Sequence, residues 1–214
     1  MITTRMLACA VAALLLSGIS GCSVLPTREN IQLIEPQVKV APDAAWPNVT
    51  WQLSIARPSA DRMLDSNRIA VSPTAGDLQV YKGAAWSDPA PDVLQTAVVE
   101  AFEDSGKIPA VARQATAMRA DYLLLMDIRD FQAVYAEPKS PPNALIEVAA
   151  KLVDANGRVV AARTFRQSAA ATATAVPAVA GAFDNALTTL TRELVGWSLN
   201  AGQQAQAESA RPVK

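Results

Sequence analysis

The residue best placed to do chemistry is Cys22, in the run Ile19-Ser20-Gly21-Cys22. An aliphatic residue, two small residues and a cysteine make a lipobox. Small residues let the extended chain enter a lipoprotein signal peptidase. The thiol is the only side chain there that can take a diacylglyceryl thioether. The preceding residues agree with this reading. Arg5 and the amino terminus supply positive charge, and an apolar run follows from Met6 to Leu16. That run is shorter than the ~20 apolar residues needed to cross a bilayer, and its flanks are those of a secretory signal. Residues 1–21 are therefore expected to be removed and Cys22 lipidated, with acyl chains such as palmitate holding the chain on a membrane. Ser23 stands where an Asp would favour retention at the inner membrane. The expected location is the periplasmic side of the cell envelope, with the inner leaflet of the outer membrane favoured over the inner membrane.

Other chemistry is largely excluded by composition. The second cysteine, Cys9, lies inside the signal, and the chain has no histidine. The mature chain thus lacks a thiol for redox or disulfide chemistry, a Ser-His-Asp or Cys-His nucleophile, and histidine metal ligands. No cofactor and no metal site is expected. Arg5 leaves with the signal, so 18 basic residues face 20 acidic ones and the mature charge is −2. That balance gives no electrostatic case for nucleic acid. Gly106-Lys107 is followed by Ile108, so there is no phosphate loop. The carboxylates Asp127, Asp130, Glu137 and Glu147 offer the one route to a general acid and base. They also fit the plainer reading of charges on the outward or edge positions of strands, and no enzymatic activity is expected. Tyr81 and Trp86 flank Lys82-Gly83-Ala84-Ala85, read as a loop leading into a helix. They form either an apolar cap on the domain or a contact for a partner, since both types are enriched in binding hot spots.

These residues must be positioned by a folded part. Four prolines between Ser23 and Asn48, with no sustained periodicity, read as a tether over residues 22–48. As a flexible chain it would span roughly 25–30 Å; Ile31, Leu33 and Ile34 are apolar enough to dock instead. A domain over residues 49–199 is expected to follow. Alternation at 49–55 marks a half-buried strand, with short strands at 68–71 and 78–81. Asp88-Pro89-Ala90-Pro91-Asp92 opens a helix with the apolar stripe Leu94, Ala97, Val98, Ala101 and Phe102, stopped by Gly106. Residues 122–134 are apolar on both faces at their start, which predicts a central strand. Segments 146–152 and 159–165, joined by Asp154-Ala155-Asn156-Gly157, predict a β-hairpin. Val179, Phe183, Ala186, Leu187, Leu190, Leu194 and Trp197 stripe a long closing helix. Residues 200–214 read as a frayed, flexible tail. The expected fold class is α/β: a single domain with a mixed, mostly antiparallel sheet packed by two helices.

The series Tyr81-Lys82-Gly83-Ala84-Ala85-Trp86-Ser87-Asp88-Pro89-Ala90-Pro91 resembles the Y-x-G-A-x-W-x-D-P-x-P segment of the ABC-type transport auxiliary lipoproteins. These are the PqiC-like lipoproteins that accompany MCE (mammalian cell entry) transporters. The resemblance continues in Ala120-Asp121-Tyr122-Leu123-Leu124, in residues 127–133 and in residues 182–187 on to Trp197. It implies a domain similar to the N-terminal domain of TolB. It also implies a non-enzymatic periplasmic subunit of an MCE/ABC-type transporter moving phospholipid or another apolar substrate between the membranes, in support of envelope integrity. Contact with an MCE-domain protein and its ABC transporter, and homo-oligomeric rings, are implied by the same route. A structural or assembly lipoprotein of the envelope, with no part in lipid transport, is the other reading the sequence leaves open.

Overall fold

A computed structural model describes residues 30–74, 76–114, 119–137 and 139–211. Its axis is the long strand Tyr122–Val134, the seventh strand of the chain (β7). Tyr122, Leu124, Met126 and Ile128 turn to the core, as alternation requires. A register shift between Ile128 and Asp130 then moves the buried set to Phe131 and Ala133. The bulge lets Arg129 and Asp130 stay outside while Phe131 rejoins the core.

Along one flank, β7 pairs antiparallel with β8 (Asn143–Asp154), which pairs antiparallel with β9 (Val159–Ala170). Along the other flank three short strands join in parallel, one after another: β2 (Leu53–Ile55), β3 (Ser59–Ala60) and β4 (Arg68–Ser72). Strand β5 (Gln79–Trp86) lies antiparallel to β4 and carries β1 (Gln32–Ile34) in parallel at the sheet edge. Strand β6 (Val111–Arg113) adds to β2. Among the described residues the result is a nine-stranded mixed sheet whose longest ladders are antiparallel and in which β7 is central, as expected.

Helices α1 (Ala90–Ser105) and α2 (Val176–Ser209) form one layer against this sheet. The α1 stripe is buried through Leu94, Val98 and Phe102, and Gly106 closes the helix at φ 60°. Pro91 and Asp92 occupy the first turn, but Pro89, not the Asp88 side chain, stands at the N-cap. Asp92 instead receives a two-pronged bond from Arg57 at 2.8 and 2.9 Å, and Arg57 also grips Asp65. This ion pair fixes the α1 start to the β2–β3 loop.

Two expected boundaries move. The tether was read to Asn48, yet from Gln32 onward the chain is docked as a strap. Ile34, Val38 and Val40 pack against the core, the Gln37 N–H donates to Asp184 Oδ1 at 2.9 Å, and Trp46 is buried. The tail was read from residue 200, yet α2 continues to Ser209. The reason lies far away in sequence. The Trp51 ring occupies the notch left by Gly202, 2.4 Å from where a Cβ would stand, and Trp46 does the same at Gly196 at 2.5 Å. The Tyr122 hydroxyl, edge-on to Trp51, donates to the Gly202 carbonyl at 3.3 Å. Residues 22–29 and 212–214 lie outside the described residues.

Candidate functional site

The segment from Tyr81 into α1 is a strand rather than a loop. Gly83 takes φ 70° at a bulge between the pairs Arg68↔Ala85 and Ala70↔Val80, so β5 continues to Trp86. That turn in the strand aims Trp86 inward. Its ring stands edge-on to Phe131 and Phe183 at 5.8 and 5.0 Å, and it is 1% exposed. Trp86 therefore leaves no surface for a partner, which corrects the partner-contact alternative at this residue. Tyr81 is half-buried, and its hydroxyl shares a 2.8 Å hydrogen bond with that of Tyr135. Burial, helped by Tyr135, pushes the Tyr81 phenol well above its ordinary value, so it stays neutral. It ties β5 to the end of β7 and keeps a partly open face.

The four candidate carboxylates do not converge. Asp127 accepts from Ser59 Oγ at 2.7 Å. Glu137 belongs to the turn after β7, where its backbone bonds Ser140. Only Asp130 and Glu147 adjoin, being register partners across the β7–β8 ladder. Arg166 lies against both, at 3.9 Å from Asp130 and in a short bond to Glu147, and Arg129 approaches Glu147 at 3.6 Å. The cluster sits on the open face of the sheet, with Arg129 and Arg166 exposed. General acid–base work needs a group held against a bound substrate; here Asp127 is answered by a hydroxyl, Asp130 and Glu147 by neighbouring cations, and Glu137 stands exposed on a turn. Among the described residues, no group of three or more acidic, histidine or cysteine side chains is placed to hold a metal.

The surface carries shallow grooves. One of about 240 Å³ lies between the strap and α1, lined by Glu35, Lys39, Asp88 and Glu100 among others. A second, about 220 Å³, lies between the hairpin and the end of α2, and a third, about 210 Å³, lies beside Asp121 and Asp154. Small-molecule pockets run from about 300 to 1,000 Å³, so each of these falls short of a site for a lipid. The arrangement offers surfaces for association. Sequence reasoning offered docking of this segment only as the alternative to a tether and missed the strap's hold through Gln37, Trp46 and Trp51. Its signal was present in Trp46 and Trp51 followed by two glycines in the last helix, but no local pattern links them. Cys22 lies outside the described residues.

The family model described as ABC-type transport auxiliary lipoprotein component matches residues 32–195. The crystal structure of protein XCC0632 from Xanthomonas campestris is 52% identical, covering 82% of this chain and 99% of that one, at TM-score 0.79. A second solved structure, of an uncharacterized protein, shares the fold at TM-score 0.59 with 11% identity, over 77% of this chain and 97% of that one. An uncharacterized protein of Bradyrhizobium diazoefficiens is 32% identical over 149 residues. That alignment takes in 70% of this chain and 40% of the relative, so the chain spans less than half of that relative's length.

Proposed function

The chain belongs to the ABC-type transport auxiliary lipoprotein family, and from that premise we propose that it is a lipid-anchored periplasmic accessory subunit of an MCE/ABC-type transporter. In this reading Cys22 carries the lipid, the outer membrane's inner leaflet is its location, and the transporter moves phospholipid or another apolar substrate between the membranes. The subunit is not an enzyme. It contributes position and contact, because a membrane anchor keeps it near its partner at high effective concentration. The observation that carries the reading is the family match over residues 32–195, nearly all of the folded part, behind a lipobox. The small open grooves agree with it: lipid would pass through partners or through an assembly of copies, not through one chain.

A photo-crosslinking residue on the open sheet face, at exposed Thr164, tests the partner in cells. The expected adduct is an MCE-domain protein or its permease, with adducts between copies if the chain self-associates. Adducts only to an unrelated envelope assembly, with lipid trafficking unchanged on deletion, would replace this reading with the structural one. Cys22→Ser should abolish labelling by radioactive palmitate and block normal cleavage.

A further inference from the structure

We infer that the β1 edge of the sheet rests on the bilayer through Ile31 and Leu33. The inference deepens the anchoring proposed above and rests on lipidation of Cys22. Among the described residues, Ile31 and Leu33 are the most exposed large apolar side chains, at 62% and 66%. Leu33 stands in β1 next to Ile34, which packs on the core, and Ile31 precedes the strand by one residue; both side chains are exposed. Leu33 is the register partner of Ala85, and Ala85 that of Arg68. Arg68 is exposed and takes part in none of the ion pairs among the described residues. Two apolar side chains with a cation two strands away make a surface suited to the headgroup region of a membrane containing anionic lipid.

The length of chain between the lipid and this patch selects the occupant. Nine residues lead from Cys22 to Ile31. At ~3.5 Å per residue their full reach is ~32 Å. A globular domain of this size has a radius of gyration of about 16 Å, so the reach is no greater than the domain's own width. Docking of the strap has removed the slack that a tether to Asn48 would have had, about three times as much. The first described residues are thus held within that reach of the bilayer with the side chains of Ile31 and Leu33 exposed. The same placement sets an orientation. Strands β1 and β9 are opposite edges of the sheet, separated by β5, β4, β7 and β8. At ~4.8 Å per strand, the β9 edge stands ~24 Å farther from the membrane.

Once lipidated, Cys22 has no free thiol, and it is the only cysteine after residue 21. Leu33→Cys therefore gives one labelling site on the full-length mature lipoprotein, with Ile31→Cys as its duplicate and Leu125→Cys, on the open face of β7, as control. Each carries the environment-sensitive fluorophore NBD and is reconstituted into vesicles of phosphatidylethanolamine and phosphatidylglycerol. Labels at 31 and 33 should shift to the blue and be quenched by nitroxide-headgroup lipid, and the label at 125 should do neither. A water-like spectrum at 31 and 33 on lipidated, vesicle-bound protein overturns this inference alone. A blue shift without nitroxide quenching also overturns it, since a protein then covers the patch. An intact mass showing no lipid on Cys22 overturns this inference together with the anchoring reading.

Discussion

The β8–β9 hairpin and the N-terminal strap are held by opposite means. The hairpin is held locally and repetitively. Its ladder runs through eleven register pairs, and its loop is closed by its own residues. The Asp154 side chain accepts from the N–H groups of Asn156 and Arg158, and the Asp154 carbonyl accepts from Gly157 at 2.9 Å. The strap has three register pairs and then a few fixings to residues about 150 positions away: Gln37 on Asp184, Trp46 on Gly196, Trp51 on Gly202. Many small local terms hold the hairpin, so no single residue should dominate it. A few large, non-local ones hold the strap, so single substitutions there should be felt across the domain.

The sharpest test is Trp51→Ala. Removing a buried Trp costs about 3–5 kcal/mol, and in a domain of this size each kcal/mol lowers Tm by about 2–4 °C. Thermal unfolding followed by circular dichroism should show that fall. A loss below about 1 kcal/mol would mean that the strap is a loosely attached extra and the comparison is wrong. Gly202→Ala comes next, at about 1–3 kcal/mol, because the new methyl meets the indole and not the tip of a flexible chain. In a Trp51→Ala background that cost should largely vanish, which a double-mutant cycle measures. Gly181, in the same helix, has nothing within 4 Å of a Cβ. Gly181→Ala should therefore stabilise by about 0.5–1 kcal/mol.

In the hairpin, Gly157 takes φ 80° with open space around it. Gly157→Ala should cost about 1–2 kcal/mol through backbone conformation alone, in urea unfolding, with no coupling to Trp51. A cost above that of Trp51→Ala would reverse the ordering. Gly157 is also where the turn departs from the simplest reading of Asn156-Gly157. Only the glycine has positive φ, so the connection is a three-residue loop and not a two-residue one.

The contrast also explains what the sequence made legible. Helix α1, the central strand and the hairpin follow from periodicity, a proline in the first turn and glycines at its stop and at the turn, all within a few residues of one another. Strands β1, β3 and β6 have three, two and three residues. Such segments carry no periodicity, and they become strands only because β5, β7 and β2 stand ready beside them. The extension of α2 past Leu199 is similar: alanine and glutamine give a weak stripe, and the partner that orders Gly202 lies near the other end of the chain. Trp86 was ambiguous for a further reason. A bulge at Gly83 decides which way it points, and parity counted through a bulge fails. The carboxylates were visible as residues, but that Arg166 answers both Asp130 and Glu147 depends on strand register.

The smallest expected effect separates charge from shape in how the strap is held. Asp184 accepts the Gln37 N–H, and burial pushes its carboxyl above the usual value, with that hydrogen bond opposing the shift. A carboxyl raised in the folded state favours folding fully below its unfolded pKa of about 3.9. That advantage is lost as pH rises through the folded value, and above it the partly buried charge is a standing penalty. Asp184→Asn keeps an acceptor for Gln37 and removes the charge. The variant should therefore be the more stable of the two at neutral pH, and the difference should close as pH falls through the carboxylate range, in urea unfolding series run at each pH. If Asp184→Asn is instead the less stable at neutral pH, the negative charge itself attracts the strap. Fixing by shape in two glycine notches would then be only part of what holds it.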